Sequence, residues 1–333
     1  MRFATYNVEW FDALFDNDGT LLDNGGWSAR HNVTRAMQID ALIRVFREID
    51  ADAVMIIEAP DTNRRRSTTR ALSRFAEAAG LRARSVMTGF VNDTQQEIAL
   101  LFDPDVISVR HAPGGTPDAP RFDDAFHIDL DIDATLDTVT FSKPPLELAI
   151  ETASGVALHM IGAHLKSKAP HGAKGRDAIM RLAIANRRKQ LAQAIWLRKR
   201  VSSLLADGQS VILAGDLNDG PGLDSFEALF GRSSVEILMG AGAEALYDPH
   251  AARALAQRIG AQPSTARFFL KGENRYLQAL LDYLMISADL RARAPRWRIW
   301  HPFDDPVCWQ DEALRDALLT ASDHFPVTLD LDL

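Results

Sequence analysis

Residues 211–221 read Val-Ile-Leu-Ala-Gly-Asp-Leu-Asn-Asp-Gly-Pro, and this stretch decides the fold class. Its four leading apolar residues predict a strand buried on both faces, because a half-exposed strand would alternate apolar with polar residues. Asp216 and Asn218 follow at the carboxyl end, so an extended chain would present both on one side. A carboxylate and an amide placed there can hold a water molecule or a hard cation. The alternative is that these polar residues only form the turn at 219–221.

Other segments repeat this pattern of an apolar strand that delivers polar side chains to its end. The predicted strands are 2–10, 53–60, 84–87, 96–102, 141–150, 155–168, 211–218, 280–286 and 321–329, and the predicted helices are 32–49, 68–79, 177–205 and 223–230. The first strand leads to Asn7 and Glu9, and the second carries Glu58 near its end. Because helices alternate with buried strands, the chain is expected to form an α/β fold.

One carboxylate stands out because it opens an apolar strand. Glu97 precedes Ile98-Ala-Leu-Leu-Phe102, so the core must accommodate it or it lies at the rim of a sheet. A buried, unpaired carboxylate is costly or is forced neutral. We therefore expect a partner for Glu97, which the residues alone do not identify.

A basic pentapeptide ends the predicted strand 155–168. His164-Leu-Lys-Ser-Lys168 offers one imidazole and two ammonium groups, which are what a phosphate oxyanion requires. A lone histidine at a strand end is more often a structural hydrogen-bonding group, but the adjacent lysines favour a functional role. Lys174 and Arg176 extend the basic run, whereas the basic residues at 186–200 are expected to form a solvated helix face.

Composition limits the class of protein. The chain has 333 residues, of which 47% are hydrophobic and 25% charged, and its net charge is −8. The acidic balance argues against a protein that coats nucleic acid by bulk electrostatics, although an enzyme that grips a single phosphate remains compatible with it. We expect one domain over 1–333, with no export signal, no stable membrane insertion and no obligate protein partner evident. The single cysteine, Cys308, fits a reducing, cytoplasmic location.

Six motifs together resemble the endonuclease/exonuclease/phosphatase superfamily, which includes deoxyribonucleases, abasic-site endonucleases, neutral sphingomyelinases and inositol polyphosphate 5-phosphatases. They are Tyr6-Asn7-Val8, Glu58, His164-Leu165, Gly215-Asp216-Leu217-Asn218, Leu281-Asp282-Tyr283 and Ser322-Asp323-His324. The pentapeptide looks most like that of bacterial nucleases. The resemblance, which runs from residue 3 to about residue 330, implies a deoxyribonuclease-like four-layered α/β sandwich: two packed mixed β-sheets flanked by helices, with the site at one end.

The resemblance also implies a role for each matching residue. Asp216 would activate the attacking water, helped by Asn218, while His324, held by Asp282, would contact the scissile phosphate. His164 would be a second imidazole on the phosphate or leaving group, paired with Glu97. The remaining implied residues are Glu58, Asn7 and Asp323 for a divalent cation, and Lys143, Lys166, Lys168 and Arg176 for the substrate. Lys143 stands where many relatives carry arginine.

The chemistry of phosphodiester hydrolysis agrees with these roles. It requires that the negative charge on the phosphoryl oxygens be neutralised, that a water be activated and that the leaving alkoxide be stabilised. One hard cation serves the first and third needs. Because all the implied ligands are oxygens, Mg²⁺ is the expected cofactor and Mn²⁺ its possible substitute.

Three functions from different classes stay open. The first is a metal-dependent nuclease that cleaves phosphodiester bonds of DNA or RNA by in-line attack of an activated water. The second is a phosphatase or lipid phosphodiesterase that acts on small phosphorylated or phospholipid substrates. The third is a non-catalytic binding module. Segments 110–137, 231–275 and 291–320 are expected to be loops that set the specificity.

Overall fold

The computed structural model describes residues 1–92, 94, 96–129, 136–170, 172–220, 230–256, 261–270 and 274–333. The helices are α1 Arg35–Ile49, α2 Thr68–Ala79, α3 Arg176–Ala206, α4 Ser234–Met239, α5 Pro249–Ala256, α6 Pro306–Gln310 and α7 Glu312–Ala321. The strands are β1 Arg2–Asn7, β2 Ala53–Pro60, β3 Ser85–Thr88, β4 Gln96–Phe102, β5 Ile107–His111, β6 Phe126–Ile128, β7 Asp137–Val139, β8 Leu146–Thr152, β9 Ala157–His164, β10 Val211–Asp216, β11 Ala266–Leu270, β12 Arg275–Ala279, β13 Asp282–Ile286, β14 Arg296–Ile299 and β15 Val327–Asp330. The helix predicted at 223–230 falls, except for its last residue, outside the described residues.

Two mixed sheets form the centre of the molecule. The first has the strand order β14-β15-β1-β2-β4-β3, and the second has the order β13-β10-β9-β8-β5. Each contains one parallel pair, β1 with β2 and β9 with β10, and its other pairs are antiparallel. Two small hairpins, β6–β7 and β11–β12, lie apart from the two sheets.

The apolar residues divide into an inner core and two outer cores. The inner core lies between the sheets and includes Phe3, Met55 and Leu100 from the first sheet and Met160, Ile212 and Leu284 from the second. One outer core packs α1, α2 and α7 on the first sheet, and the other packs α3 on the second. Burial of both faces explains the nearly continuous apolar strands. The predicted four-layered α/β sandwich is therefore confirmed.

Capping residues mark the ends of α1 and α2, the two helices that pack on the first sheet with α7. The side chains of Thr34 and Ser67 accept backbone N–H bonds at the starts of α1 and α2, which satisfies donors that have no partner within the helix. The helices end at Asp50 and Gly80, which take left-handed φ angles of 40° and 61°.

Several predicted boundaries were wrong for identifiable reasons. β8 begins at Leu146, not at 141, because Pro144 and Pro145 cannot donate to the sheet. β10 ends at Asp216, since Asn218 takes a φ of 49° that leaves the extended conformation. The segments predicted as loops also hold short elements, namely β6 and β7, then α4, α5 and β11, then β14, α6 and α7. Among the described residues, no helix is long and apolar enough to cross a membrane.

Gly215 is the position in β10 at which a side chain would collide with the neighbouring strand. Its φ is 129°, and a Cβ there would lie 2.0 Å from the carbonyl oxygen of Ala163 in β9. Because backbone cannot move aside, we expect Gly215→Ala to lower the free energy of unfolding by about 3 kcal/mol or more, as measured by urea denaturation.

Gly155→Ala is the matched control, because Gly155 also has a positive φ, 84°, but a Cβ added there would meet no atom of the described residues within 4 Å. It should cost only about 1 kcal/mol. Equal losses in the two variants would contradict the close approach of β9 and β10.

Candidate active site

A cavity of about 650 Å³ opens at the rim where the carboxyl ends of the parallel strands in both sheets meet. It is lined by Asn7, Glu9, Trp10, Glu58, Gln96, Ser142, Lys143, His164, Leu165, Lys166, Ser167, Gln193, Asp216, Asn218, Asp323 and His324. The volume falls within the range typical of ligand sites. Most of the residues singled out in the sequence therefore converge there.

Asp216 lines the cavity and is only 2% exposed. The Asn7 side-chain amide donates to its Oδ2 over 3.0 Å, which joins β1 of the first sheet to β10 of the second. The Asn218 backbone N–H donates to Oδ1 over 2.7 Å, and the Asn218 amide lies 3.3 Å from Oδ2. Burial raises the pKa of Asp216 to about 7, although nearby His324 acts to lower it.

His324 and Asp282 form a buried imidazole–carboxylate pair, with Nδ1 and Oδ2 2.7 Å apart. The hydroxyl of Thr265 donates to the same carboxylate oxygen over 2.8 Å, which fixes its direction. Burial acts to lower the pKa of His324, but the charges of Asp282, Asp216 and Asp323 together raise it well above its ordinary value. His324 is therefore an imidazolium near neutral pH, and its Nε2 lies 4.0 Å from the nearer oxygen of Asp216.

His164 is a second imidazole of opposite character. Burial, together with the positive charges of Lys143, His324 and Lys166, holds its pKa well below the ordinary value. The Lys143 ammonium lies 3.1 Å from Nδ1 and can only donate, so Nδ1 accepts and the proton of the neutral ring is assigned to Nε2. That nitrogen lies 3.7 Å from Asp216 Oδ2.

The expected pairing of His164 with Glu97 is wrong. Glu97 instead accepts a 2.6 Å hydrogen bond from the Asn92 amide, and burial raises the pKa of Glu97 to about 7. The reason is strand alternation: Ile98 belongs to the inner core between the sheets, whereas Ala99 belongs to the outer core, and Glu97 shares the outer face with Ala99. Glu97 consequently does not line the cavity.

Gln96, which the sequence reasoning missed, takes the place on the inner face. Its amide oxygen accepts from Lys143, and its amide nitrogen donates to Glu58. Counting back from Ile98 by two residues would have found it. Trp10, Ser142 and Gln193 also line the cavity and were missed, whereas Leu165 and Ser167 belong to the quoted pentapeptide but had been given no role.

Three oxygen-bearing side chains could hold a cation at the first-sheet side of the cavity. Glu58 sits at a β-bulge between β2 and β4 with a φ of 64°, and burial raises its pKa while Lys143 opposes this. Asn7 Oδ1 is buried and has no hydrogen-bond partner among the described residues, and Asp323 lines the same wall. An unpartnered amide oxygen beside two carboxylates suits a hard divalent cation.

A second group also has donor atoms close enough for a metal, since Asp216, Asp282 and His324 offer atoms within 4.8 Å of one another. We favour the Glu58 group, because the Asp282 and His324 atoms already bond each other and Thr265. The Asp282–His324 pair therefore fits an acid–base role better than a ligand role.

The four basic candidates differ in position. Lys143 and Lys166 line the cavity. Lys168 instead places its ammonium 2.6 Å from the buried carboxylate of Asp219, and Arg176 is exposed at the start of α3. Neither Lys168 nor Arg176 is among the described residues of the cavity wall.

Amide side chains on one stripe of α3 hold the loops that carry these groups. Gln190 donates to the carbonyl oxygens of Lys166 and Asn218, each over 2.9 Å. Gln193 accepts from the Lys166 backbone over 2.9 Å, and Asn186 donates to the carbonyl of Ala169 over 3.0 Å. Asn186, Gln190 and Gln193 thus form a scaffold that joins the 165–169 and 217–218 loops.

Comparisons with known proteins give a family and a fold. A comparison with curated proteins found no match. Among solved structures, truncated TDP2 from Caenorhabditis elegans is 14% identical with a TM-score of 0.51, covering 98% of this chain and 96% of that one. TDP2 from D. rerio, complexed with single strand DNA product, is 12% identical with a TM-score of 0.51, covering 99% and 97%. A Bacteroides thetaiotaomicron protein of the endonuclease/exonuclease/phosphatase family is 16% identical with a TM-score of 0.50, covering 100% and 98%.

At these identities the solved structures show the shared fold. The family assignment comes from the sequence model described as "Endonuclease/Exonuclease/phosphatase family", which matches residues 4–324 and so nearly the whole chain. The chain therefore belongs to the endonuclease/exonuclease/phosphatase family and is a divalent-metal-dependent hydrolase of phosphoester bonds.

Proposed function

We propose that the protein is a nuclease that cleaves phosphodiester bonds of DNA or RNA with Mg²⁺ as its cofactor. The observation that carries the proposal is the juxtaposition, in one cavity, of a buried carboxylate whose pKa is about 7 with an imidazolium and two lysines. The basic pentapeptide that supplies His164 and Lys166 supports a nucleic-acid substrate. A fold neighbour, D. rerio TDP2, was solved with single strand DNA product.

Binding of the phosphate is assigned to the positive groups on the cavity wall. The His324 imidazolium and the Lys143 and Lys166 ammonium groups donate charge-assisted hydrogen bonds to phosphoryl oxygens. Neutral His164 adds a donor through its Nε2–H. Because Lys143 is itself held by Gln96, it presents a fixed charge to the substrate.

Activation of water is assigned to Asp216. A carboxylate with a pKa of about 7 is a stronger base than an exposed aspartate and is still largely ionised just above neutrality. It takes one proton from the water as the water oxygen bonds to phosphorus and the bond from phosphorus to the leaving oxygen breaks. Asp216 then returns its proton to solvent, and the leaving oxygen takes up a proton from solvent at the open rim.

The cation would be held by Glu58, Asn7 and Asp323. When bound, Mg²⁺ supplies positive charge that neutralises the phosphoryl oxygens and the leaving oxygen. Gln96 orients Glu58 by donating to one of its carboxylate oxygens.

A second candidate function is hydrolysis of small phosphorylated or phospholipid substrates. Two observations favour it: the net charge is −8, and Lys168 of the pentapeptide is engaged with Asp219. Both reduce the positive field that a long polyanion would meet.

The test of the proposal is cleavage of a plasmid and of single-stranded DNA and RNA with Mg²⁺, compared with phosphomonoesters, sphingomyelin and inositol phosphates. Wild type should act on the nucleic acids, and Asp216→Asn should lose about a thousandfold in turnover, because the amide cannot take the proton. Above neutral pH, the thermal midpoint of this variant should be no lower than that of wild type. A raised carboxyl pKa means that ionisation of Asp216 destabilises the fold, and asparagine removes that charge.

Asp207→Asn, at an exposed aspartate just after α3, is the control and should act as wild type does. Turnover of phosphomonoesters or phospholipids alone would favour the second candidate. Near-normal nuclease activity in Asp216→Asn would contradict the assigned base.

The Asp282→Asn variant tests the protonation of His324 by its effect on the pH profile. Since Asp282 raises the pKa of His324, its loss lowers that pKa, and the imidazolium disappears at a lower pH. Asp282 also raises the pKa of Asp216, so the acid limb of the pH profile should move to lower pH as well. We expect the whole profile of kcat/KM to shift to lower pH, and the fractional loss of activity to grow with pH. An unshifted alkaline limb would show that His324 does not act as the imidazolium.

A further inference from the structure

Four exposed aromatic rings and two arginines form a continuous surface feature, which we name the aromatic strip. Its members are Phe269 of β11, Tyr276 of β12, Arg267 of β11, Phe303, Trp309 of α6 and Arg315 of α7. The aromatic side chains are exposed by 45%, 50%, 37% and 53% in the order Phe269, Tyr276, Phe303 and Trp309. Large rings are rarely left so open next to one another without a binding role.

Each member of the strip contacts the next. The Phe269 and Tyr276 ring centroids are 5.2 Å apart, and the Arg267 guanidinium lies 3.4 Å from the Tyr276 centroid and 5.4 Å from that of Phe303. Phe303 and Trp309 are 6.2 Å apart. Arg315 adds a second guanidinium, 5.1 Å from the Trp309 centroid. Each pair of rings is therefore followed by an arginine along the surface, and the contacts hold these side chains in place before any ligand arrives.

Backbone pairing joins the strip to the segment that carries two residues of the cavity wall, Asp323 and His324. Ala266 bridges His324, and the backbone N–H of Arg267 donates to the carbonyl of Asp323 over 2.7 Å, so β11 runs antiparallel to the 323–324 segment. Residues directly opposite each other across such a pair share a face, which puts Arg267 on the side of Asp323, a lining residue of the cavity. On the other face, the Phe268 ring lies 6.2 Å from the His324 ring.

We infer that the aromatic strip binds a single-stranded stretch of the nucleic-acid substrate, with its bases stacked on the rings and a phosphate paired with Arg267. The inference rests on the proposed nuclease function and names its substrate class. Unpaired bases offer open faces to aromatic side chains, whereas the bases of a duplex are already stacked on one another.

Aromatic residues and arginine are also enriched in protein–protein interfaces, so a protein partner is the competing occupant. Continuity with a phosphoester-cleaving cavity favours the nucleic acid. Arg267 lies opposite Asp323 of the cavity wall, so a strand that leaves the cavity past Asp323 would meet Arg267 and the rings beside it.

The test is binding of a fluorescent single-stranded oligothymidylate and of a duplex, without divalent metal, to wild type, Tyr276→Thr and Trp309→Ala. Each variant should bind the single strand about tenfold more weakly, because one stacking contact is lost, and should bind the duplex as wild type does. Threonine preserves the strand propensity of β12, and thermal midpoints confirm folding. Turnover of bis(4-nitrophenyl) phosphate, which is too small to reach the strip, should be unchanged.

Trp27→Ala is the matched control, because Trp27 is 69% exposed but lies outside both the strip and the cavity wall. The inference is overturned if both strip variants bind the single strand as wild type does, if Trp27→Ala weakens it equally, or if wild type self-associates and Trp309→Ala dissociates it. Cleavage of duplex alone, equal in wild type and strip variants, would remove the inference and leave the nuclease proposal standing. If the strip variants bind the single strand more weakly but wild type cleaves no nucleic acid, the inference about the strip stands and the nuclease proposal is contradicted.

Discussion

The hydrogen bond between Asn7 and Asp216 is the contact on which the site depends. It joins the last residue of β1 in one sheet to the last residue of β10 in the other, across the rim of the inner core. The packing of two sheets is therefore what assembles the site, and no single strand or loop carries it. The same packing removes water from Asp216 and so gives its carboxylate the basicity that an exposed aspartate lacks.

Because Asp216 is buried, its carboxylate needs hydrogen-bond donors and positive charges around it. A buried carboxylate is tolerable when donors and positive charges surround it, and here His324, Asn7 and Asn218 supply them. The Asp282 carboxylate in turn keeps His324 charged, while burial and the positive charges of Lys143, His324 and Lys166 lower the pKa of His164 and keep it neutral. Two histidines of one cavity thus hold different protonation states, because both are buried but only His324 has carboxylates beside it that outweigh burial.

Apolar strands followed by Asn7, Glu58, His164 and Asp216 read directly from the chain and predicted an α/β fold. The sandwich and the meeting of the strand ends at one site were expected from the family resemblance. Prediction from the sequence failed where the answer depended on which face a side chain takes. Glu97 and Gln96 differ by one residue, and only the packing of Ile98 into the inner core shows that Gln96 faces the cavity. Tertiary ion pairs are equally hidden: Lys168 reads as a free cation until Asp219 is placed beside it. The roles given to these residues stay proposals.

The position of Mn²⁺ in crystals of the wild-type protein, located by anomalous scattering at a low metal concentration, decides whether the strand ends of the first sheet hold a cation. We expect a peak inside the cavity, bounded by the Glu58 and Asp323 carboxylates and the unpartnered amide oxygen of Asn7. A peak on Asp282 and His324, or one outside the cavity, would contradict this arrangement, because the strand ends of the first sheet would then not hold the metal.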